Sequence, residues 1–325
     1  MNNISHPDIK SFMAAWAKRP EFVLLVALVL LVVVTTIRDN TFINMLNVSS
    51  MLNYASFTGI VSIGLVMLLV SGHLDMSIGA VTGLMSILLA TFVLEFSFPP
   101  FLAFVSILLI GMGIGFFNGF MIVKMKINAF ILTLATMFTC RGLIQVISDG
   151  RSIIGLPAEL VAPAYIRPLG LPLNVYVFLI LGIAGWFLLQ KTAFGKSIFV
   201  IGNNETIAIT SGINKQRVSM LLYVITGALC AVSGYFLTVQ YRMANITGGV
   251  NWEFVVTSAC MLGGASMYGG KGTVFGGMLG IMFMTALLYS LQAFRVPGGY
   301  QVLITGLVLI ISVLIDVTRS KKLSA

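Results

Sequence analysis

The stretch that decides the fold is Ser50–Leu94, SMLNYASFTGIVSIGLVMLLVSGHLDMSIGAVTGLMSILLATFVL. It is apolar on both sides of one interruption, Ser71-Gly72-His73-Leu74-Asp75-Met76-Ser77-Ile78-Gly79. Crossing a hydrocarbon core of about 30 Å takes roughly 20 helical residues, and each flank, Ser50–Val70 and Met76–Leu94, supplies that length. A carboxylate inside such a segment costs roughly 2.5–3.5 kcal/mol on insertion scales, so Asp75 needs compensation. It can cap the helix that follows, accepting from backbone N–H groups near Ser77 and Ile78. Discontinuous helices also line solute paths in transporters, which places Ser71, His73, Asp75 and Ser77 on a candidate translocation path or gate. The two readings are compatible. His73 reads either as a hydrogen-bonded interfacial residue or as a solute or gating contact; its surroundings in the sequence make no metal set.

The rest of the chain follows the same grammar. Of its 325 residues 58% are hydrophobic and 9% charged, against about a quarter charged in soluble domains. Lipid is therefore the solvent, and without the two-residue alternation of barrel strands the backbone must be satisfied in helices. Charge-free runs punctuated by charges, Pro and Gly give ten spans: 22–37, 50–70, 76–94, 101–123, 128–147, 173–190, 218–241, 254–267, 273–291 and 300–315. The first run lacks a small-x-small cleavage site and reads as a membrane helix, not a signal peptide. Cys140, Cys230 and Cys260 lie far apart inside apolar runs and read as small buried residues.

Charge orients the ten spans. With the N-terminus inside, Lys10, Lys18, Arg19, Lys124, Lys126, Lys191, Lys196, Lys215, Arg217, Lys271, Arg319, Lys321 and Lys322 all fall in cytoplasmic segments, 13 of the 19 basic residues and every lysine. The positive-inside rule then puts both termini in the cytoplasm. The net charge of +9 follows this topology and excludes a nucleic-acid patch as the reason for it. Two connections are long: Ser148–Pro172 outside, and Lys191–Gln216 inside, where Asn203 is placed to cap a short helix ending at Gly212.

Glycines at four-residue spacing, Gly111, Gly115 and Gly119 in one span and Gly272, Gly276 and Gly280 in another, put small residues on one helix face for close packing. Leu262–Gly272 superficially resembles a phosphate loop, but lacks the Gly-Lys-Ser/Thr order and the preceding strand. It instead echoes the first interruption: Gly263-Gly264 matches Ser71-Gly72, and Gly272/Gly276 matches Gly79/Gly83 with a one-residue insertion. This is a weak parallel internal repeat. No nucleophile–base or paired-carboxylate set emerges, which disfavours an enzyme.

Four stretches carry a family resemblance: Ser71–Gly79, similar to a Ser-Gly-x-Ile-Asp-Leu-Ser-Val-Gly pattern; Asn128–Leu134, including Thr133, through Arg141-Gly142; Gly195–Asn214, with Gly202-Asn203 and Ser211-Gly212-Ile213-Asn214; and Leu262–Gly272 with Tyr300-Gln301 and Asp316 behind it. In order, they resemble the permeases of ribose- and xylose-type ATP-binding-cassette importers, a group that also takes autoinducer-2, allose, rhamnose and galactofuranose. The resemblance implies an all-α inner-membrane protein, one permease domain over residues 1–325, that pairs with a second permease chain, identical or different. It implies two cytoplasmic ATPase subunits, which hold ATP and Mg while this chain holds no cofactor, and a soluble sugar-binding protein that delivers solute. It adds Asn128 and Thr133 to the candidate path. It makes the segment about 195–216 the coupling element, with Asn203, Asn204, Glu205, Ile207, Ile209, Gly212 and Ile213 facing the ATPase. The chain departs from the pattern at His73, where a small or apolar residue is usual, and at Ile207 and Ile209, which replace more polar or small residues. Gly155–Leu160 and Lys191–Gly195 look like the autoinducer-2 branch.

The rival reading is an ion-coupled secondary carrier of a small polar solute, which needs an ionisable relay within the bundle. Asp75, Arg141 and Glu253 are few and dispersed for one. The orientation is open to a direct test. Single cysteines at Ser152 and Asn204, exposed to an impermeant thiol reagent from outside, should label at 152 and not at 204; the reverse pattern would refute the topology.

Overall fold

The computed structural model describes residues 20–324. In chain order the helices are α1 (Pro20–Arg38), α2 (Met45–Val70), α3 (Ile78–Leu94), α4 (Pro100–Val123), α5 (Ala129–Ile147), the single turn α6 (Ala158–Val161), α7 (Leu173–Lys191), α8 (Ala193–Asn203), α9 (Glu205–Thr210), α10 (Lys215–Tyr241), α11 (Trp252–Leu262), α12 (Val274–Ala293) and α13 (Gly298–Ser324). Two 3-10 turns follow α6, and one antiparallel bridge pairs Ile153 with Ala244. Among the described residues the fold is thus all-helical, and each of the ten expected spans overlaps a helix. Lys10, Lys18 and Arg19, which bear on the N-terminal orientation, lie outside the described residues.

Eight of the helices are long and apolar enough to cross a membrane; α3 and α11 are shorter. The expected span 254–267 is corrected here. Gly263-Gly264 stops α11 at 11 residues, about 16 Å of helix at 1.5 Å per residue, roughly half a hydrocarbon core.

Burial explains the arrangement. Every residue of α2 from Ala55 to Val70 is buried, as expected of a helix that is apolar all round. It runs through the middle of the bundle, packed by α7, α10, α11 and α12. Around it, α1, α4, α5, α7 and α13 carry exposed large apolar side chains such as Val29, Leu30, Leu109, Phe138, Ile183 and Ile310, the surface lipid would cover. Polar side chains link the inner helices: Ser86 Oγ and Thr238 Oγ1 lie 2.6 Å apart, Ser233 Oγ donates to Phe57 O at 2.9 Å, and Asn174 Nδ2 donates to Asn53 Oδ1 at 2.7 Å. Such contacts, with close van der Waals packing, hold helices together where no hydrophobic driving force separates protein from lipid.

The glycine series lie at backbone contacts. A Cβ on Gly111 would come 2.5 Å from Gly227 O, one on Gly115 would overlap Tyr223 O, and one on Gly119 would come 3.2 Å from Met220 Cα, so α4 and α10 touch along this stripe. Gly276 and Gly280 face Gly263 O and Ala259 O in the same way, joining α12 to α11. Gly272 departs from the expected helical stripe. It precedes α12, at φ +144°, and belongs to the break.

The stripe predicts a sharp positional contrast. Gly115→Leu should lower the yield of folded, detergent-stable protein several-fold, because overpacking costs about 1–3 kcal/mol or more. Gly113→Leu, two residues away with open space around it, should stay within about twofold of wild type by fluorescence-detected size exclusion.

Candidate translocation and coupling site

The first break begins where α2 ends. Gly72 takes φ +79°, a conformation glycine adopts without steric cost. Its N–H donates to Leu69 O at 2.9 Å, and His73 N–H donates to Leu68 O at 2.9 Å. This is a Schellman ending, which satisfies carbonyls the helix would leave bare. The second break is built the same way: Gly264 takes φ +94°, its N–H donates to Met261 O at 2.9 Å, and Ala265 N–H donates to Cys260 O at 3.0 Å. The matching of Ser71-Gly72 with Gly263-Gly264 is therefore present in the backbone hydrogen bonds. The second break is longer than a one-residue insertion allows, since α3 starts at Ile78 and α12 only at Val274.

Asp75 is buried, and its Oδ1 accepts from Ser77 N–H at 2.8 Å and from Ser77 Oγ at 2.6 Å. The expected donor Ile78 is replaced by the Ser77 hydroxyl, because Asp75 sits two residues before the N-cap Ser77 and forms an Asx turn. Neighbouring helices then close on the break. Thr133 Oγ1 in α5 accepts from Met76 N–H at 3.1 Å. Asn118 in α4 donates to Ser77 Oγ at 3.2 Å and accepts from Thr136 Oγ1 at 2.7 Å. Tyr223 in α10 donates to Leu74 O at 3.1 Å, and its ring meets the His73 imidazole edge-on at 6.0 Å. Ser71 Oγ lies 3.0 Å from His73 Nδ1. The structure therefore gathers Ser71, His73, Asp75, Ser77 and Thr133 into one polar cluster.

Asn128 stands apart from it, exposed, as the N-cap of α5, accepting from Phe130 and Ile131 N–H. Asn118, Thr136 and Tyr223 are the members that reading the sequence missed. Their signal was an amide, a hydroxyl and a phenol in otherwise apolar helices, where a polar side chain needs an internal partner.

The second break is held by fewer side chains. Asp316 Oδ2 in α13 accepts from Met267 N–H at 2.9 Å, and Ser266 Oγ accepts from Tyr268 N–H at 3.2 Å. In the first turns of α3, Gly79 and Gly83 let the 248–249 turn approach, and Arg141 Nη1 donates to Gly248 O at 2.7 Å. The buried Glu253 lies beside Gly79. A groove of about 560 Å³ between α11 and α13 is lined by Tyr54, Asn251, Phe254, Gln301, Val302 and Thr305 among others.

The expected coupling segment forms α9. Asn204, not Asn203, caps it, accepting from Thr206 N–H at 2.9 Å and Ile207 N–H at 3.2 Å; Asn203 is the last residue of α8 and donates to Phe199 O. The far end is a third Schellman turn, with Gly212 at φ +75° and Ile213 N–H donating to Ala208 O at 3.0 Å. Glu205 pairs with Lys215 at 2.6 Å, tying α9 to the start of α10. Ala208 is buried, and the residues on its two flanks, Ile207 and Ile209, are 54% and 61% exposed.

Residues 47–313 match the family described as branched-chain amino acid transport system / permease component. The chain is 34% identical over 295 residues to the ribose import permease of Bacillus subtilis, covering 90% of this chain and 91% of that one. It is 31% identical over 290 residues to the autoinducer 2 import system permease of Salmonella choleraesuis, covering 88% and 82%. It is 24% identical over 364 aligned positions to the xylose transport system permease of Haemophilus influenzae, covering 93% and 97%. No solved structure matches.

The Asx turn at Asp75 can be tested by substitution. Asp75→Ala removes the acceptor and should destabilise the detergent-solubilised protein by about 1 kcal/mol, the worth of a cap, or more. Asp75→Asn keeps an Oδ1 acceptor and should cost less than half as much. Equal loss of melting temperature in the two variants would mean that the negative charge, not the turn, is what the site needs.

Proposed function

Because the chain belongs to the branched-chain amino acid transport system permease family, we propose that it is the membrane-spanning subunit of an ATP-driven importer carrying a monosaccharide or sugar-like solute into the cytoplasm. The relatives named above are permeases for ribose, xylose and autoinducer 2, while the family description names amino acids. The sugar reading follows those relatives, which align along about nine-tenths of this chain.

The observation that carries the ATP-driven mechanism is α9. It is capped at both ends, so it is a formed helix and not a loose loop, and it turns two isoleucines outward. A helix in water gains nothing from exposed isoleucines, and burying each contributes roughly 1.5–3 kcal/mol. A groove on a cytoplasmic ATPase, which would bind ATP and Mg and hydrolyse the nucleotide, fits this surface. Lys191, Lys196 and Lys215 flank α9, Lys124 and Lys126 sit in the α4–α5 turn, and Lys271 sits in the second break. By the positive-inside rule this end of the bundle is cytoplasmic in the inner membrane, with both termini on that side and ten helices taking part in the crossing. The opposite end, with the 148–172 connection, would receive the solute-binding protein. A second permease chain, identical or different, would complete the pathway, and the buried cluster around Asp75 would form its inner gate.

The test is the double variant Ile207→Asp with Ile209→Asp. Lost burial and newly buried charge should weaken ATPase association by at least about 100-fold. Insertion and expression should stay near wild type, since both side chains are exposed. Co-purification of the ATPase and solute uptake in vesicles should fall together. Full recovery of the ATPase with solute-stimulated hydrolysis intact would remove α9 as the coupling element.

A further inference from the structure

At the end of α2, Val70 O accepts from Gly270 N–H at 2.8 Å. This bond joins the first broken helix to the second break, main chain to main chain. The last turn of α8 lies against it. A Cβ on Gly202 would overlap the Val70 carbonyl oxygen and stand 2.5 Å from Gly270 N. One on Gly269 would stand 2.6 Å from Gly202 O, and one on Gly270, which takes φ +73°, would overlap the Asn203 side chain. A single residue, Asn204, separates α8 from α9. Its N–H donates to Val200 O at 3.0 Å while its side chain caps α9. There is no slack between the outward-facing helix and the three-way contact.

We infer that the contact of Val70, Gly202 and Gly270 is where movement of α9 is passed to both broken helices together, with Gly202, Asn203 and Gly270 as its positioning residues. The inference rests on the assignment of α9 as the ATPase-docking helix. Backbone packed on backbone cannot absorb a displacement by changing rotamer, so closely packed elements move as units. Ser71–Ser77 follows Val70 directly, and Gly270 lies inside the second break. A shift of α8 therefore carries the Val70 and Gly270 backbones with it, and moves the inner end of α2 and the start of α12 in one step. This accounts for a feature that packing alone leaves unexplained: Gly202, Gly269 and Gly270, from two distant parts of the chain, meet at one point.

The experiment uses the full transporter with its ATPase in vesicles, carrying Asn203→Cys with Gly270→Cys. Adjacent Cβ positions at a few ångströms suit a disulfide, and the native Cys140, Cys230 and Cys260 are buried. Oxidation should leave uptake within about twofold of wild type with the ATPase bound, because the disulfide fixes a contact that moves as one unit. A loss of uptake on oxidation that reductant restores would mean that α8 and the second break have to part during transport, and would overturn the inference. Gly202→Ala supplies a second variant on the same assays: the ATPase should co-purify normally while the solute moved per ATP falls at least about tenfold. Unchanged coupling in Gly202→Ala would equally overturn it. Failure of the docking assignment is read separately, from an ATPase that still binds the Ile207→Asp/Ile209→Asp chain, and the inference would fall with it.

Discussion

Wherever a helix stops inside an apolar bundle, its last carbonyls and the next helix's first N–H groups must find partners without water. Each unsatisfied group costs several kcal/mol in hydrocarbon. Two helices of this chain, α2 and α11, stop inside the bundle, and both use one solution: a positive-φ glycine whose own N–H and that of the next residue donate back to the final turn. Broken helices can sit at the centre of the protein because these turns close their own backbone hydrogen bonds. The conserved geometry of the two turns also makes the internal repeat physical, since it is a repeat of hydrogen-bond pattern more than of residue identity.

The two breaks are nevertheless held differently. The first is gripped by α4, α5 and α10 through Asn118, Thr133 and Tyr223, and its residues from Asp75 to Ser77 are buried. The second is longer, has four glycines at positive φ, and exposes Tyr268 at 61%. Its side-chain hydrogen bond from another helix is the Asp316 carboxylate on Met267 N–H, beside the main-chain bond from Gly270 N–H to Val70 O. Fewer buried contacts mean a lower local opening free energy. The first break is thus the more firmly held of the two, and the second opens locally more easily.

Much of this was legible in the sequence because membrane constraints are severe. Twenty-residue apolar runs, lysine asymmetry and a carboxylate inside a span admit few interpretations, and each of the ten expected segments overlaps a helix, eight of them long enough to cross a membrane. What was illegible depended on partners. Asn118 and Tyr223 become members of the cluster only when α4 and α10 are folded against the first break. Asn203 and Asn204 are chemically identical candidates for a cap, and only the direction of the chain at 204, with φ −158° and ψ 112°, decides between them. The length of α11 hinged on whether Gly263-Gly264 ended a helix or sat within one. Glycine is tolerated in membrane helices, so its local meaning came from the contact with Gly276. The same ambiguity put Gly272 in a helical stripe when it is a turn residue.

The proposed coupling path and the helix packing are built from the same material. Along α4 and α10, and along α11 and α12, glycine removes the side chain so that backbone meets backbone. Such an interface has no rotamers to exchange, so it is either engaged or separated. The Val70–Gly202–Gly270 contact has this character at the junction of two breaks and a surface helix. A contact padded with leucines could adjust continuously and would dissipate a displacement of α8 within a few ångströms. Here the displacement has to appear in the backbone of α2 and of the second break. The bundle therefore has, at one end, a backbone-to-backbone path from a surface helix to its buried centre.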